Sequence, residues 1–311
     1  MGSGKGYGKT ILFGEHFVVY GMPAIASALG SFTSATIKVL EGKGWAVDDQ
    51  RPATIGYKKK KYDEAMQSVQ NVINHLNIDT IKQKLEITFA GDLFAASGVG
   101  ASAAQCTSLA RALNDEFNLN LDDEKINEAA YEGEKAYHGT PSGIDNTAST
   151  YGGLIWFVKN LVGGKNTMDL LQSPNKIPLV IANSGITAST TEVVADVRRL
   201  KEENPDTFER IFKDYKKLAE KAKNALLKGD ISTIGDLMNQ NHKLLQEITV
   251  SGEINDKLVK IALENGAIGA KMTGTGRGGL TISITENEVI QEKVVKAVEK
   301  EGYDAWKSMV G

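Results

Sequence analysis

Apolar residues fall at helical spacing in several stretches of the chain. Over residues 63–76, Met66, Val69, Val72, Ile73 and Leu76 share one stripe and predict an amphipathic helix. Leu109, Leu113 and Phe117 mark a second helix, behind a run of small residues. A third opens at Asp122 and Asp123, residues suited to a helix start, and turns Ile126, Ala129, Ala130 and Tyr137 inward. Residues 11–20, 33–39, 85–89 and 154–158 read as strands. After a loop with Gly163, Gly164 and Pro174, a further strand is expected over 177–182. Helices follow over 191–203, 206–228, 230–247 and 253–265. Strands at 267–272 and 280–284 then flank a glycine run, and a helix over 289–300 and a short strand close the chain. A length of 311 residues suits about two domains, with the boundary placed near 175: residues 1–175 and 176–311.

Composition narrows the function classes. The apolar share of 41% and charged share of 24% are those of a globular protein. A net charge of -3 offers no electrostatic footprint for nucleic acid. The one basic run, Lys58 to Lys61 between Tyr57 and Tyr62, reads as a solvated loop. A single cysteine, Cys106, excludes an intrachain disulfide and suits a small apolar packing role. The Gly- and Lys-rich start lacks the apolar core of a signal peptide, and no apolar run nears the roughly 18 residues of a membrane span. No membrane contact and a cytoplasmic location are expected. The terminal Met309-Val310-Gly311 is not the usual peroxisomal tripeptide.

Three phosphate motifs compete. Gly8-Lys9-Thr10 ends like a P-loop, but Ser3 stands where that motif needs its first glycine. Gly98-x-Gly100-x-x-Ala103 and Gly274-x-Gly276-x-x-Gly279 match the dinucleotide spacing and fail on context. The first lies about eight residues beyond its strand, and the second leads into a strand. The third reading takes Ser97 to Ala104 as a loop opening into a helix, whose unpaired N–H groups and dipole seat a phosphate. On that segment alone, a tight turn that merely needs small residues is an equal alternative.

Glu134 follows Ile126 and Ala130 at i, i+4 spacing and so lies on the inward stripe. A buried carboxylate needs a partner, either a core ion pair or a cation such as Mg²⁺, which favours oxygen ligands; the Ser102 hydroxyl would complement it. Asp145 sits after Pro141 and Gly143 at a helix start, as an acid serving the dipole or one aimed at a substrate hydroxyl. Lys9 precedes a strand expected from Thr10. Glu15 and His16 would be exceptional as plain core residues. His75, His138 and His242 have no metal-site spacing and read as surface or satisfied core residues.

Together these residues match a family. Gly8-Lys9 with Leu12 to Gly21 resembles the first motif of the GHMP small-molecule kinases in their mevalonate kinase form, Gly98 to Ala104 the second, and Lys271 to Gly279 the third. Gly133-Glu134, His138 to Asn146 and Tyr151-Gly152-Gly153 resemble the segment bearing the metal ligand and catalytic aspartate. Ser184 to Thr191 is similar to the protist, trypanosomatid-like forms. Departures from the commoner pattern are Phe94, Ala96, Val99 and Ala101 around the second motif and Arg277 and Leu280 in the third. Ala101 stands where that motif has the first of its two serines, while Ser102, Lys9, Glu134 and Asp145 are all retained.

The resemblance implies an α/β and α+β architecture: a domain like the second domain of ribosomal protein S5, then a ferredoxin-like domain. It implies ATP-dependent phosphorylation of the C5 hydroxyl of mevalonate to 5-phosphomevalonate, the alternatives being another GHMP kinase (for phosphomevalonate, galactose or homoserine) or a non-catalytic ligand-binding regulator. By carry-over, ATP lies on Ser97, Gly98, Val99, Gly100, Ala101, Ser102 and Ala103. Ser102 and Glu134 hold Mg²⁺, Asp145 takes the proton, and Lys9 orients Asp145. Glu15, His16, Tyr151 and Thr190 are implied to meet mevalonate, with Gly274, Gly276 and Gly278 forming a structural loop. The protein is expected to be a monomer or homodimer.

Overall fold

Two units divide the chain, each drawn from two stretches: residues 1–9 with 28–152, and residues 10–27 with 153–311. The structure, a computed structural model, describes residues 1–53, 55–95, 98–186 and 188–311.

The first unit takes the opening of β1 (Gly2–Phe13) and most of β2 (Ala24–Leu40), with β3 (Gly44–Asp49) and β4 (Lys84–Gly91). β1 pairs with β2, β2 runs antiparallel to β4, and β3 runs parallel to β4. On β4, Leu85, Ile87 and Phe89 alternate inward, as a half-buried strand requires. The helices of this unit are α1 (Tyr57–Lys60), α2 (Tyr62–His75), α3 (Ala101–Phe117), α4 (Asp123–His138) and α5 (Ile144–Tyr151). Val69, Val72 and Ile73 of α2, Leu109 and Leu113 of α3, and Ile126 of α4 join the strand residues in one core. Each such side chain contributes roughly 1.5–3 kcal/mol by leaving water.

The chain's first residues depart from the expected pattern. The strand begins at Gly2, so Lys9 lies within β1 rather than ahead of a strand. Its alternating glycines explain why. A Cβ on Gly4 would stand 2.5 Å from the Ser108 carbonyl oxygen, and one on Gly6 would stand 2.3 Å from that of Ala104. The backbone of α3 therefore rests directly on one face of β1, and only glycine permits that approach. Lys58, expected in a solvated loop, lies in α1 and donates to the Asp49 carbonyl at 2.6 Å.

The second unit holds β5 (Leu154–Val158) and β6 (Thr167–Leu171), paired with each other, with β5 also on Ala24 to Ser27 of β2. Then come β7 (Ile177–Asn183), α6 (Thr190–Glu203), α7 (Pro205–Lys228), α8 (Ile231–Glu247), α9 (Glu253–Glu264), β8 (Gly269–Thr273), β9 (Leu280–Ile284), α10 (Glu288–Lys300) and β10 (Asp304–Val310). The last four strands form an antiparallel sheet in the order β10-β7-β9-β8. Strand, helices, two strands, helix, strand in that order is the ferredoxin-like arrangement, with its first crossover enlarged to four helices. Val180, Ala270, Val259 and Val294 form its core.

The expected strand over 11–20 stops at Phe13. Gly14 follows at φ 123°, with Ala24 filling the space a side chain would need, and His16–Tyr20 forms a 3-10 turn. Phe17 of that turn stacks on Tyr215 with ring centroids 3.9 Å apart, and the Tyr215 hydroxyl donates to the Pro23 carbonyl at 2.7 Å. Aromatic packing, which local β-propensity does not register, decides this segment.

Gly133 on α4 sits where a Cβ would lie 2.6 Å from Cys106 Sγ and 2.8 Å from Val72 Cγ2. Helix propensity favours Gly133→Ala by about 1 kcal/mol, but overpacking costs about 1–3 kcal/mol. The variant is expected to have a lower urea midpoint than the parent; a raised midpoint would show that α4 can shift at no cost.

Candidate active site

Lys9 is buried on β1, and its Nζ lies 2.9 Å from Asp145 Oδ1. Its backbone N–H donates to the Val99 carbonyl at 2.8 Å, tying the strand to the small-residue loop. Gly100, at φ 69°, precedes α3; a Cβ there would stand 2.7 Å from Lys9 Cγ. No side chain caps α3. Among the described residues, the first hydrogen bond across its start is Ala104 N–H to the Gly100 carbonyl, and the N–H groups of Ala101, Ser102 and Ala103 have no acceptor inside the helix. Those donors and the helix dipole favour an anion. Arg51, unnoticed in the sequence, is buried beneath this turn and donates to the Ala101 carbonyl, Gln105 Oε1 and the Asp49 carboxylate.

Asp145 stands in the first turn of α5, after Gly143 at φ 90°. Glu134, on the inward face of α4, is 1% exposed, and its Oε1 has no hydrogen-bond partner. Burial, reinforced by the Asp145 charge, raises its pKa to about 8, against the Ser102 hydroxyl and Lys9, which favour the carboxylate. His138 lies one helical turn on, with Nε2 3.7 Å from Glu134 Oε2. Among the described residues, Glu134, His138 and Asp145 form a group whose ligand-type atoms all lie within 4.8 Å of one another. An orphaned, buried carboxylate oxygen beside a hydroxyl and a second acid fits a hard divalent cation such as Mg²⁺. His138 is at the surface, as expected, with its imidazole turned toward this group.

A second group of expected residues lies in the second unit. Both Glu15 oxygens are engaged within the protein, one by fully buried Lys271 and the other by Asn241 Nδ2 at 3.3 Å. His16 Nε2 donates to the Thr275 carbonyl at 2.7 Å, and burial lowers its pKa. Thr190 and Thr275 share a hydroxyl hydrogen bond of 2.7 Å. Gly276 has φ 81°, and a Cβ there would stand 2.0 Å from the Val250 carbonyl oxygen. Gly274 and Gly278 also have positive φ. Arg277, where the commoner pattern has glycine, holds φ 50° and pairs with Asp196 while donating to the Thr249 carbonyl.

The first unit thus assembles Lys9, Ser102, Glu134 and Asp145, with Gly98 to Ala103 alongside. The second assembles His16, Thr190 and the loop of Gly274, Gly276 and Gly278, over buried Glu15. Tyr151 joins neither group: its charged neighbours are Asp122, Asp123, Glu124 and Glu128, at the opposite end of α4 from Glu134. Ser97 lies outside the described residues. Among the described residues no helix is long and apolar enough to cross a membrane.

Next to Asn241, His242 packs with its Nδ1 accepting from the Met272 N–H. Burial lowers its pKa to about 4, and Lys271 adds to that, against the pull of Asp256. An unfolded chain takes up this proton below about pH 6.5, the folded chain only below about 4, so the proton favours unfolding in that interval. Stability should therefore fall as pH drops from about 6.5 to about 4. Urea midpoints measured across that range should decline less in His242→Asn; an unchanged slope would remove His242 as the cause.

Comparison with known proteins gives concordant matches. The family model of the GHMP kinases N terminal domain matches residues 64–153, and that of the GHMP kinases C terminal domain matches residues 222–304. The mevalonate kinase of Thermococcus gammatolerans is 33% identical over 310 residues, covering 93% of this chain and 90% of that protein. That of Thermococcus sibiricus is 31% identical over 313 residues, covering 94% of this chain and 91% of its own. The crystal structure of L. major mevalonate kinase in complex with R-mevalonate superposes with a TM-score of 0.96 at 40% identity, covering 100% of this chain and 96% of that one.

Proposed function

The chain belongs to the GHMP kinases, in their mevalonate kinase family, and on that premise we propose that it transfers the γ-phosphoryl group of ATP to the C5 hydroxyl of mevalonate, releasing ADP and 5-phosphomevalonate. The observation that carries the reading is the Lys9–Asp145 pair, 2.9 Å apart, beside an uncapped helix N-terminus and an orphaned buried carboxylate.

Each residue then has a task. Asp145 accepts the proton of the C5 hydroxyl as that oxygen bonds to the γ-phosphorus and the bond to the leaving ADP oxygen breaks. Lys9 holds the Asp145 carboxylate in place and sets a positive charge where phosphoryl oxygens gain negative charge. The N–H groups of Ala101, Ser102 and Ala103 cradle the triphosphate. Ser102 and Glu134 hold Mg²⁺, which when bound neutralises phosphate charge. His16 and Thr190 meet mevalonate. Glu15, with both oxygens engaged inside the protein, supports the His16 segment rather than touching substrate.

A coupled assay of ADP release, run with mevalonate, phosphomevalonate, galactose and homoserine, should register turnover with mevalonate alone. Turnover with another substrate and none with mevalonate would sink the assignment. Asp145→Asn should keep ATP binding while kcat drops about 10²-fold or more, the scale of a lost general base; near-parental turnover would strip Asp145 of that role. Glu134→Gln should shift the Mg²⁺ activation curve to higher concentration, and a superimposable curve would exclude it as a ligand.

A further inference from the structure

Glu134 and His138 stand four residues apart on the last turns of α4, so both side chains leave the same face of one rigid helix. Glu134 Oε2 and His138 Nε2 are 3.7 Å apart. Two ligands at about 2.1 Å from a common ion stand about 3 to 4.2 Å apart, depending on the angle between them. The observed separation falls inside that interval without any movement of the helix. The other carboxylate oxygen, Glu134 Oε1, is buried and has no hydrogen-bond partner, so the group has coordinating capacity to spare. Asp145 completes the cluster but is drawn to Lys9, which leaves the imidazole as the second donor. The His138 side chain is half exposed, so its ring can turn toward an ion without disturbing the core.

Resting on the kinase reading above, we propose that His138 is a ligand of the divalent cation alongside Glu134 and the Ser102 hydroxyl, which makes this a mixed nitrogen–oxygen site that binds Mn²⁺ before any nucleotide arrives. The donor set decides the ion. Mg²⁺ favours oxygen and keeps much of its water, and in kinases phosphate oxygens complete its shell. Imidazole suits transition-metal ions rather than Mg²⁺, and Mn²⁺, though the weakest binder of the first-row divalent series, is the member that also favours carboxylate and hydroxyl oxygens. The protein should therefore hold Mn²⁺ in the absence of ATP, whereas Mg²⁺ should bind firmly only with it.

The test uses the full chain without nucleotide. Electron paramagnetic resonance counts free Mn²⁺ during a titration, and spin-echo modulation reports any ¹⁴N bonded to the bound ion. One Mn²⁺ per chain with imidazole modulation is expected. His138→Gln should abolish the modulation and weaken Mn²⁺ about tenfold or more. Glu134→Gln should lose the site. Absence of ¹⁴N modulation in the parent, or its persistence in His138→Gln, would overturn the proposal, as would failure to bind Mn²⁺ without nucleotide. An active kinase with no nitrogen signal would reject only this inference. A clear nitrogen signal in a protein inert toward mevalonate would reject only the functional reading.

Discussion

A lysine taken out of water needs an anion, and Lys9 finds Asp145 at 2.9 Å. Much of the first unit follows from that pairing. Lys9 also gives its backbone N–H to Val99 and packs its stem where any side chain at Gly100 would go. One residue thereby sets the distance between a strand, a phosphate-type loop and the start of α5. The alternating glycines of β1 serve the same end, since they let α3 lie on the strand and bring its open N-terminus level with Lys9.

The site is built at the expense of local stability. Glu134 is buried without a full set of partners, and α3 begins without a side-chain cap. Both defects lie around one point, and both are relieved by the same kind of ligand: a phosphate chain carrying a cation. Asn255 in the second unit is treated differently, bridging the Gly278 N–H and carbonyl.

The second unit shows the opposite treatment of charge. Glu15 and Lys271 are both withdrawn from solvent, yet they are paired, and Asn241 and the Met272 carbonyl take up further hydrogen bonds. Such a pair adds little net stability but penalises any arrangement that separates its members. Together with the Phe17–Tyr215 stack it locks the 3-10 turn carrying His16 against the strand and helices of that unit.

Periodicity alone determined the long elements. The stripes of α2 and α4 and the alternation of β4 specify their inward faces through spacing, and Glu134 was legible as buried because it falls on such a stripe. Motif order made the family readable. What spacing could not supply was anything set by contacts between distant segments. The N-terminal glycines gave no strand signal ahead of Thr10, yet they form part of β1 and α3 packs on them, and residues 16–20 read as strand where the structure has a turn stacked on Tyr215. Arg51 carried no motif, and the Glu134–His138 spacing, visible as i, i+4, gained meaning only once Asp145 came within reach. Local sequence encodes which face of an element is apolar. Only the tertiary structure decides which charge meets which, because ion pairing depends on distance in space and not along the chain.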